Sequence, residues 1–155
     1  MERSIAFYTD ALGFELVHQQ VQEAPYTSVV VGYAGARLKV ALLALPGELR
    51  AHSNHHLELI EYVHPRGRRG DPNTFHPGAA HIAFVVDDIH RRHEALVQRG
   101  VHFVSPPVPI TAGVNQGGFA CYFRDPDEIA LELLQLPTAL ERQIAANGAR
   151  PGALR

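Results

Sequence analysis

The sequence predicts an α+β protein built from two copies of one module with the order β-α-β-β-β, the first copy lacking its opening strand. Three observations carry this. Leu57-Glu58-Leu59-Ile60 returns as Leu131-Glu132-Leu133-Leu134, each a single carboxylate inside an apolar run that reads as a strand. A helix ending at Gly13 is matched by a helix ending at Gly100. A third apolar run, Ala79 to Val86, carries His81 and has no counterpart downstream of Met1.

The second copy reads most directly. Ala79–Val86 is a strand by composition and length. Asp87-Asp88 can cap the helix that follows by accepting backbone N–H bonds. That helix runs from Ile89 to Arg99, and Gly100 ends it where a positive φ is cheap. Val101–Val104 starts a strand that Pro106-Pro107 breaks. Gly117-Gly118 marks a turn, Phe119–Phe123 a strand, Asp125-Pro126-Asp127 a turn, and Ile129–Leu136 the last strand.

The first copy follows the same course from its helix onward. Glu2–Leu12 places Ile5, Tyr8 and Leu12 on one helical face. Phe14–Val17 is the following strand, Thr27–Val31 and Arg37–Leu45 read as middle strands, Pro46–Asn54 is a polar loop, and His55–Val63 is the final strand. Gly13 and Gly100 are offset by 87 positions, Glu58 and Glu132 by 74; the difference of 13 is an insertion expected in the Pro46–His56 hairpin. His81 precedes Gly100 by 19 residues, and 19 before Gly13 falls upstream of Met1. The first copy therefore lacks its opening strand and with it the counterpart of His81; either that strand is encoded upstream of Met1, which the cost of an uncovered sheet edge favours, or the protein has lost it. The domain expectation is residues 1–137, made of modules 1–63 and 79–137 joined by a polar link holding Pro65, Pro72 and Pro77, with 138–155 as a tail that is helical near Ala139–Ala146.

Bulk composition narrows the function classes. At 155 residues, 46% hydrophobic and 19% charged, with net charge −2, the chain has no electrostatic lever for nucleic acid or an anionic membrane. The run Arg66-Gly67-Arg68-Arg69 reads as a solvated loop. One cysteine, Cys121, excludes an intrachain disulfide, so a reducing, cytoplasmic setting is expected, with Cys121 as a core filler. No apolar stretch is long enough to span a bilayer.

Glu58, His81 and Glu132 share one description: a metal-capable side chain at an alternating position of an otherwise apolar strand. A carboxylate in a core is costly unless paired, hydrogen-bonded or metal-bound. One imidazole and two carboxylates suit a divalent metal such as Zn, Ni, Mn or Fe. The competing reading is two solvent-facing edge-strand glutamates and a satisfied core histidine. The repeat weighs against it, because two copies place the carboxylate identically.

In this order the segments Glu2–Tyr8 running to Leu12-Gly13-Phe14, Leu57-Glu58-Leu59, His81–Asp88, and Tyr122–Asp127 leading to Leu131-Glu132-Leu133 resemble the vicinal oxygen chelate superfamily, which contains glyoxalase I, bleomycin-resistance proteins, methylmalonyl-CoA epimerase and extradiol dioxygenases. The resemblance reaches Pro137. It implies paired modules whose curled mixed sheets form a cavity, with the three candidate ligands pointing inward. The glyoxalase I pattern takes four ligands, His, Glu, His, Glu; the last three match Glu58, His81 and Glu132, and the first would lie on the missing strand. The dioxygenase pattern does not use the position of Glu58. Its retention favours an isomerase or lyase that abstracts a proton next to a carbonyl, with Glu132 or Glu58 as base and the enediolate stabilised by the metal. A metal-free drug-binding protein and a ring-cleaving dioxygenase are the alternatives. Glu128 departs from the family, which usually has a turn glycine there; that concerns the hairpin and not the site.

Three further residues are candidates for substrate binding. His56, clustered with His52 and His55, competes with a solvated hairpin. Asn115, beside Gly117-Gly118, competes with a plain turn. Tyr122, like Tyr62, Phe84 and Phe103, either lines the pocket or fills the core. The expected partners are a small-molecule substrate and a second copy of the chain, with neither nucleic acid nor membrane.

Overall fold

The computed structural model describes residues 1–45 and 55–146. The chain divides into two compact units, Met1–Asp71 and Pro72–Arg155. Each is α+β with one sheet.

The first unit opens with α1 (Glu2–Ala6), which passes into π-helical turns over Phe7–Ala11. Tyr8, Ala11 and Leu12 are buried along it, and Gly13 leaves at φ 83°, as the sequence leads one to expect. Three strands follow: β1 (Glu15–Gln22), β2 (Arg37–Ala44) and β3 (His56–His64), in the antiparallel order β1-β2-β3. Lys39 and Glu61 pair across β2 and β3; Lys39 Nζ is 3.2 Å from Glu2 Oε1 and Glu61 Oε2 is 2.9 Å from the Met1 amine. These contacts fix which face of the sheet α1 covers. Alternation then puts His56, Glu58, Ile60 and Tyr62 on the opposite face.

Two readings of this unit are corrected. Thr27–Val31 is not a strand but lies in α2 (Pro25–Val31). Pro25 at the first helical turn and Gly32 at φ 75° just past the end override the β-propensity of the three valines. Val29 and Val30 are 82% and 75% exposed, so no sheet packing was available to draw them into a strand. The insertion is also divided rather than confined to the hairpin. Leu42 faces Glu58, 16 residues on, whereas Tyr122 faces Glu132, 10 residues on. The hairpin thus accounts for six of the 13 extra residues, and the other seven lie between Gly13 and β2, the stretch that holds α2. The polar loop Pro46–Asn54, with His52, falls outside the described residues.

The second unit contains β4 (His81–Val85), α3 (Ile89–Gln98), β5 (Val108–Pro109), β6 (Phe119–Arg124), β7 (Ala130–Gln135) and α4 (Thr138–Ala146). The sheet order is β4-β7-β6-β5, with β4 parallel to β7. Asp88 caps α3 by accepting from Arg91 N at 3.0 Å. One face of the sheet buries Phe84, Leu131, Leu133, Cys121 and Phe123 against Ile89 and Leu96 of α3. A ladder of rings, His93 on Phe103 and Phe103 on Phe123, continues that core. Val101–Val104 forms no strand: it reaches β6 only through the Phe103–Phe123 bridge and a Val104 N to Tyr122 O bond, and pairing resumes at β5 beyond Pro106-Pro107. Two prolines without N–H donors explain the gap.

Comparison of the two sheets shows where the units differ. In the second, β4 covers the outer edge of β7. In the first, β3 has no such neighbour among the described residues. The α+β class accords with the sequence, whereas the first module has three strands among the described residues rather than the four read there, because Thr27–Val31 is helical.

The β6–β7 hairpin turns on Asp125, which is buried and accepts from Asp127 N and Ile129 N, both at 2.8 Å, through one carboxylate oxygen. Glu128 sits at φ 68°, where an L side chain is strained. We expect Glu128→Gly to raise unfolding stability by about 0.5–1 kcal/mol and Asp125→Ala to lower it by roughly 1.5–3 kcal/mol, both read by urea denaturation.

Candidate functional site

Parity along the strands of the second unit separates two sets of side chains. Phe84, Cys121, Phe123, Leu131 and Leu133 go to α3. His81, Ala83, Tyr122 and Glu132 go to the other face. Glu132 stands in register between Tyr122 on β6 and Ala83 on β4. The methyl of Ala83 leaves room beside the carboxylate, and His81, two residues earlier on β4, reaches into it. His81 Nε2 lies 3.1 Å from Glu132 Oε2. The Tyr122 hydroxyl lies 3.3 Å from the same nitrogen, and the two rings are 5.3 Å apart at 54°.

Exposure grades these groups. The Glu132 side chain is 13% accessible and that of His81 43%. Burial pushes the Tyr122 phenol above its ordinary value, and its hydrogen bond to Glu132 and that residue's charge act in the same direction. Cys121, one residue away on the opposite face, is raised to about 11, chiefly by burial and then by the Glu132 charge. It is a core filler carrying a protonated thiol.

Glu58 lies on β3, opposite Leu42, on the face turned away from α1. It is exposed, not buried as the apolar run around it suggests. Its position nevertheless matches that of Glu132: each is on the last strand of its sheet, on the side its unit's first helix does not cover. His56 shares the face of Glu58 and is exposed. Asn115 lies in the turn before β6, where its carbonyl accepts from Gly118 N at 2.9 Å. Phe84 and Phe103 belong to the α3 side and fill the core; Tyr62 and Tyr122 do not.

One neighbour escapes the sequence reading. β1 runs to Gln22 rather than ending at Val17, and a bulge between Leu16 and His18 turns His18 to the Glu58 face, in one row with Leu42 and Glu58. The alternation of apolar and polar residues that would reveal it is broken by Val17 at the bulge.

The His81–Glu132 pair fits a metal in part. Two donors bonded at 2.0–2.2 Å and at right angles are about 3 Å apart, close to the observed spacing, and an imidazole with a carboxylate suits a divalent cation. Among the described residues no group of three or more His, Cys, Asp or Glu side chains is arranged to hold a metal ion.

With this geometry established, comparison with known proteins is decisive for the family. Residues 1–133 match the model of the Glyoxalase/Bleomycin resistance protein/Dioxygenase superfamily. The chain belongs to that superfamily. It is 33% identical over 141 residues to a 2-epi-5-epi-valiolone epimerase from Actinomyces sp, covering 88% of this chain and 74% of that one. It is 26% identical over 136 residues to a probable chloroplastic lactoylglutathione lyase of Arabidopsis thaliana, covering 87% of this chain but only 32% of that protein. Among solved structures, a glyoxalase family protein from Bacillus cereus aligns with a TM-score of 0.69 at 21% identity over 88% of this chain and 87% of its own. The trypanothione-dependent glyoxalase I of Leishmania major aligns at 0.59 and 22% over 96% and 89%. These structural likenesses establish the fold. No helix among the described residues is long and apolar enough to cross a membrane.

The site makes one prediction about its nearest nucleophile. Cys121, buried and with its thiol raised to about 11, should not react with a thiol reagent at pH 8 in the folded protein and should react with one equivalent once denatured; fast native labelling contradicts the burial.

Proposed function

We propose that this superfamily member is a metal-dependent isomerase or epimerase that removes and returns a proton on the carbon beside a carbonyl. The observation that carries the reading is the 3.1 Å approach of His81 and Glu132 on the sheet face turned away from α3. The identity shared with an epimerase supports it, since inverting such a centre needs only one proton taken off and put back.

In this reading His81 Nε2 and Glu132 would hold the metal, and Glu58 keeps the equivalent position of its own unit as a donor assigned from the repeat alone. The metal, when bound, supplies Lewis-acid polarisation of the substrate carbonyl. Glu132 is the base. Its small accessible area leaves little room for water beside the carboxylate. Tyr122 and the methyl of Ala83 bound the space on either side of that carboxylate, and Asn115, in the same unit, is assigned as a substrate contact. The substrate is a small hydroxylated carbonyl compound, and the expected assembly is a cytoplasmic homodimer.

The test is solvent exchange. Protein offered Zn, Ni, Mn and Fe(II) separately should retain one of them stoichiometrically. In D₂O the loaded protein should place deuterium beside the carbonyl of 2-epi-5-epi-valiolone or of S-lactoylglutathione. Glu132→Gln should slow that exchange by about 10²–10⁴-fold, and His81→Ala should lose the metal. Retention of none of the four metals, or exchange indifferent to Glu132→Gln, sinks the proposal. The lack of a three-donor set among the described residues favours one second reading, metal-free sequestration of a small molecule. Micromolar binding of an aromatic drug by metal-stripped protein would support it.

A further inference from the structure

The first unit presents an apolar surface that the proposed chemistry does not use. α2 is anchored on one side, where Thr27 is buried and Ser28 Oγ accepts from Ala36 N at 3.1 Å. Helical periodicity then puts Tyr26, Val29 and Val30 on the opposite side. There they are 57%, 82% and 75% exposed. Past the Gly32 cap Tyr33 is half-exposed, and its ring stands edge-on to that of Tyr62 at 5.9 Å. Tyr62 shares a face of β3 with Ile60, itself half-exposed. The apolar surface thus runs from α2 onto the sheet.

Resting on the homodimer of the reading above, we propose that this surface is where two copies of the chain meet, α2 against α2 about a twofold axis. Area and charge both select a second copy. Tyr26, Val29, Val30, Tyr33 and Ile60 together expose about 500 Å², toward the top of the range for the largest patch on a monomer. Two such patches face to face bury about 1,000 Å², the lower bound for a specific interface, so the dimer is a weak one. A twofold contact sets each patch against its own copy, so a rim of one charge sign would repel itself. Here the rim carries both signs: Arg37 Nε lies 3.0 Å from Glu23 Oε2, with both side chains more than half exposed. A membrane surface is the poorer fit, because Glu23 already neutralises Arg37 and α2 holds no Lys or Arg. Valine on an anchored helix also loses little freedom when it is covered.

The experiment is sedimentation velocity of the full chain from micromolar to near-millimolar concentration, wild type against the double variant Val29→Asp, Val30→Asp. Wild type should pass reversibly from monomer to dimer. The variant should associate at least about 100-fold more weakly, because a twofold contact sets the new carboxylates against their like. Its melting transition should not move, since both positions are exposed. Wild type that stays monomeric throughout overturns this proposal and the homodimer, and leaves the metal reading standing. A variant that dimerises like wild type overturns this proposal alone. Flotation of monomeric wild type with phosphatidylcholine–phosphatidylserine vesicles, lost in the variant, assigns the surface to a membrane and overturns it too. If the variant does not fold, wild type decides: in methyl NMR spectra the Val29 and Val30 signals should move on dilution, and signals that stay fixed while the dimer dissociates overturn the assignment.

Discussion

Everything about this protein's candidate chemistry depends on a strand burying only one of its faces under a helix. In the second unit α3 takes Phe84, Leu131, Leu133, Cys121 and Phe123. The two-residue period then delivers Glu132, Tyr122 and His81 to the other side without any special device. Each apolar residue turned toward α3 contributes roughly 1.5–3 kcal/mol, so a one-residue slip of β7 would bury the carboxylate and expose two leucines. The register that stabilises the core is the register that assembles the polar trio.

The same rule operates in the first unit with a different outcome. Lys39, Glu61 and the Met1 amine tie α1 to one face, and Glu58 emerges on the other. Glu58 is exposed, whereas Glu132 is nearly covered and in contact with two partners. Equivalent positions in two modules have thus diverged in environment. β4, which carries His81 to the edge of β7, has no counterpart beside β3 among the described residues.

Much of this was legible in the sequence, for identifiable reasons. The strands β4, β6 and β7 and the helix α3 are bounded by strong local signals, Asp88, Gly100, Gly117-Gly118 and Asp125-Pro126-Asp127. The shared face of His81 and Glu132 is different. Which residues of β4 and β7 stand side by side is a matter of pairing across 50 intervening positions, which no local pattern states; the resemblance to a family suggested it. What misled were features whose cause is tertiary. Three valines in α2 looked like a strand because propensity ignores the Pro25 and Gly32 that frame them. An apolar run around Glu58 suggested burial because neighbours in sequence say nothing of which face is covered. His18 was hidden by a bulge. Glu128 was flagged as a departure at a turn, and its positive φ shows that the turn keeps the geometry a glycine would adopt.

The superfamily supplies the fold and a range of reactions, so the specific chemistry must rest on the site. Here that means a carboxylate of small accessible area beside an imidazole that a phenol also contacts. The most direct measurement is an anomalous-scattering crystal map of the Zn-soaked protein. The account predicts a metal peak at bonding distance, about 2.0–2.2 Å, from both His81 Nε2 and a Glu132 oxygen. A peak elsewhere, or one that touches neither residue, contradicts it.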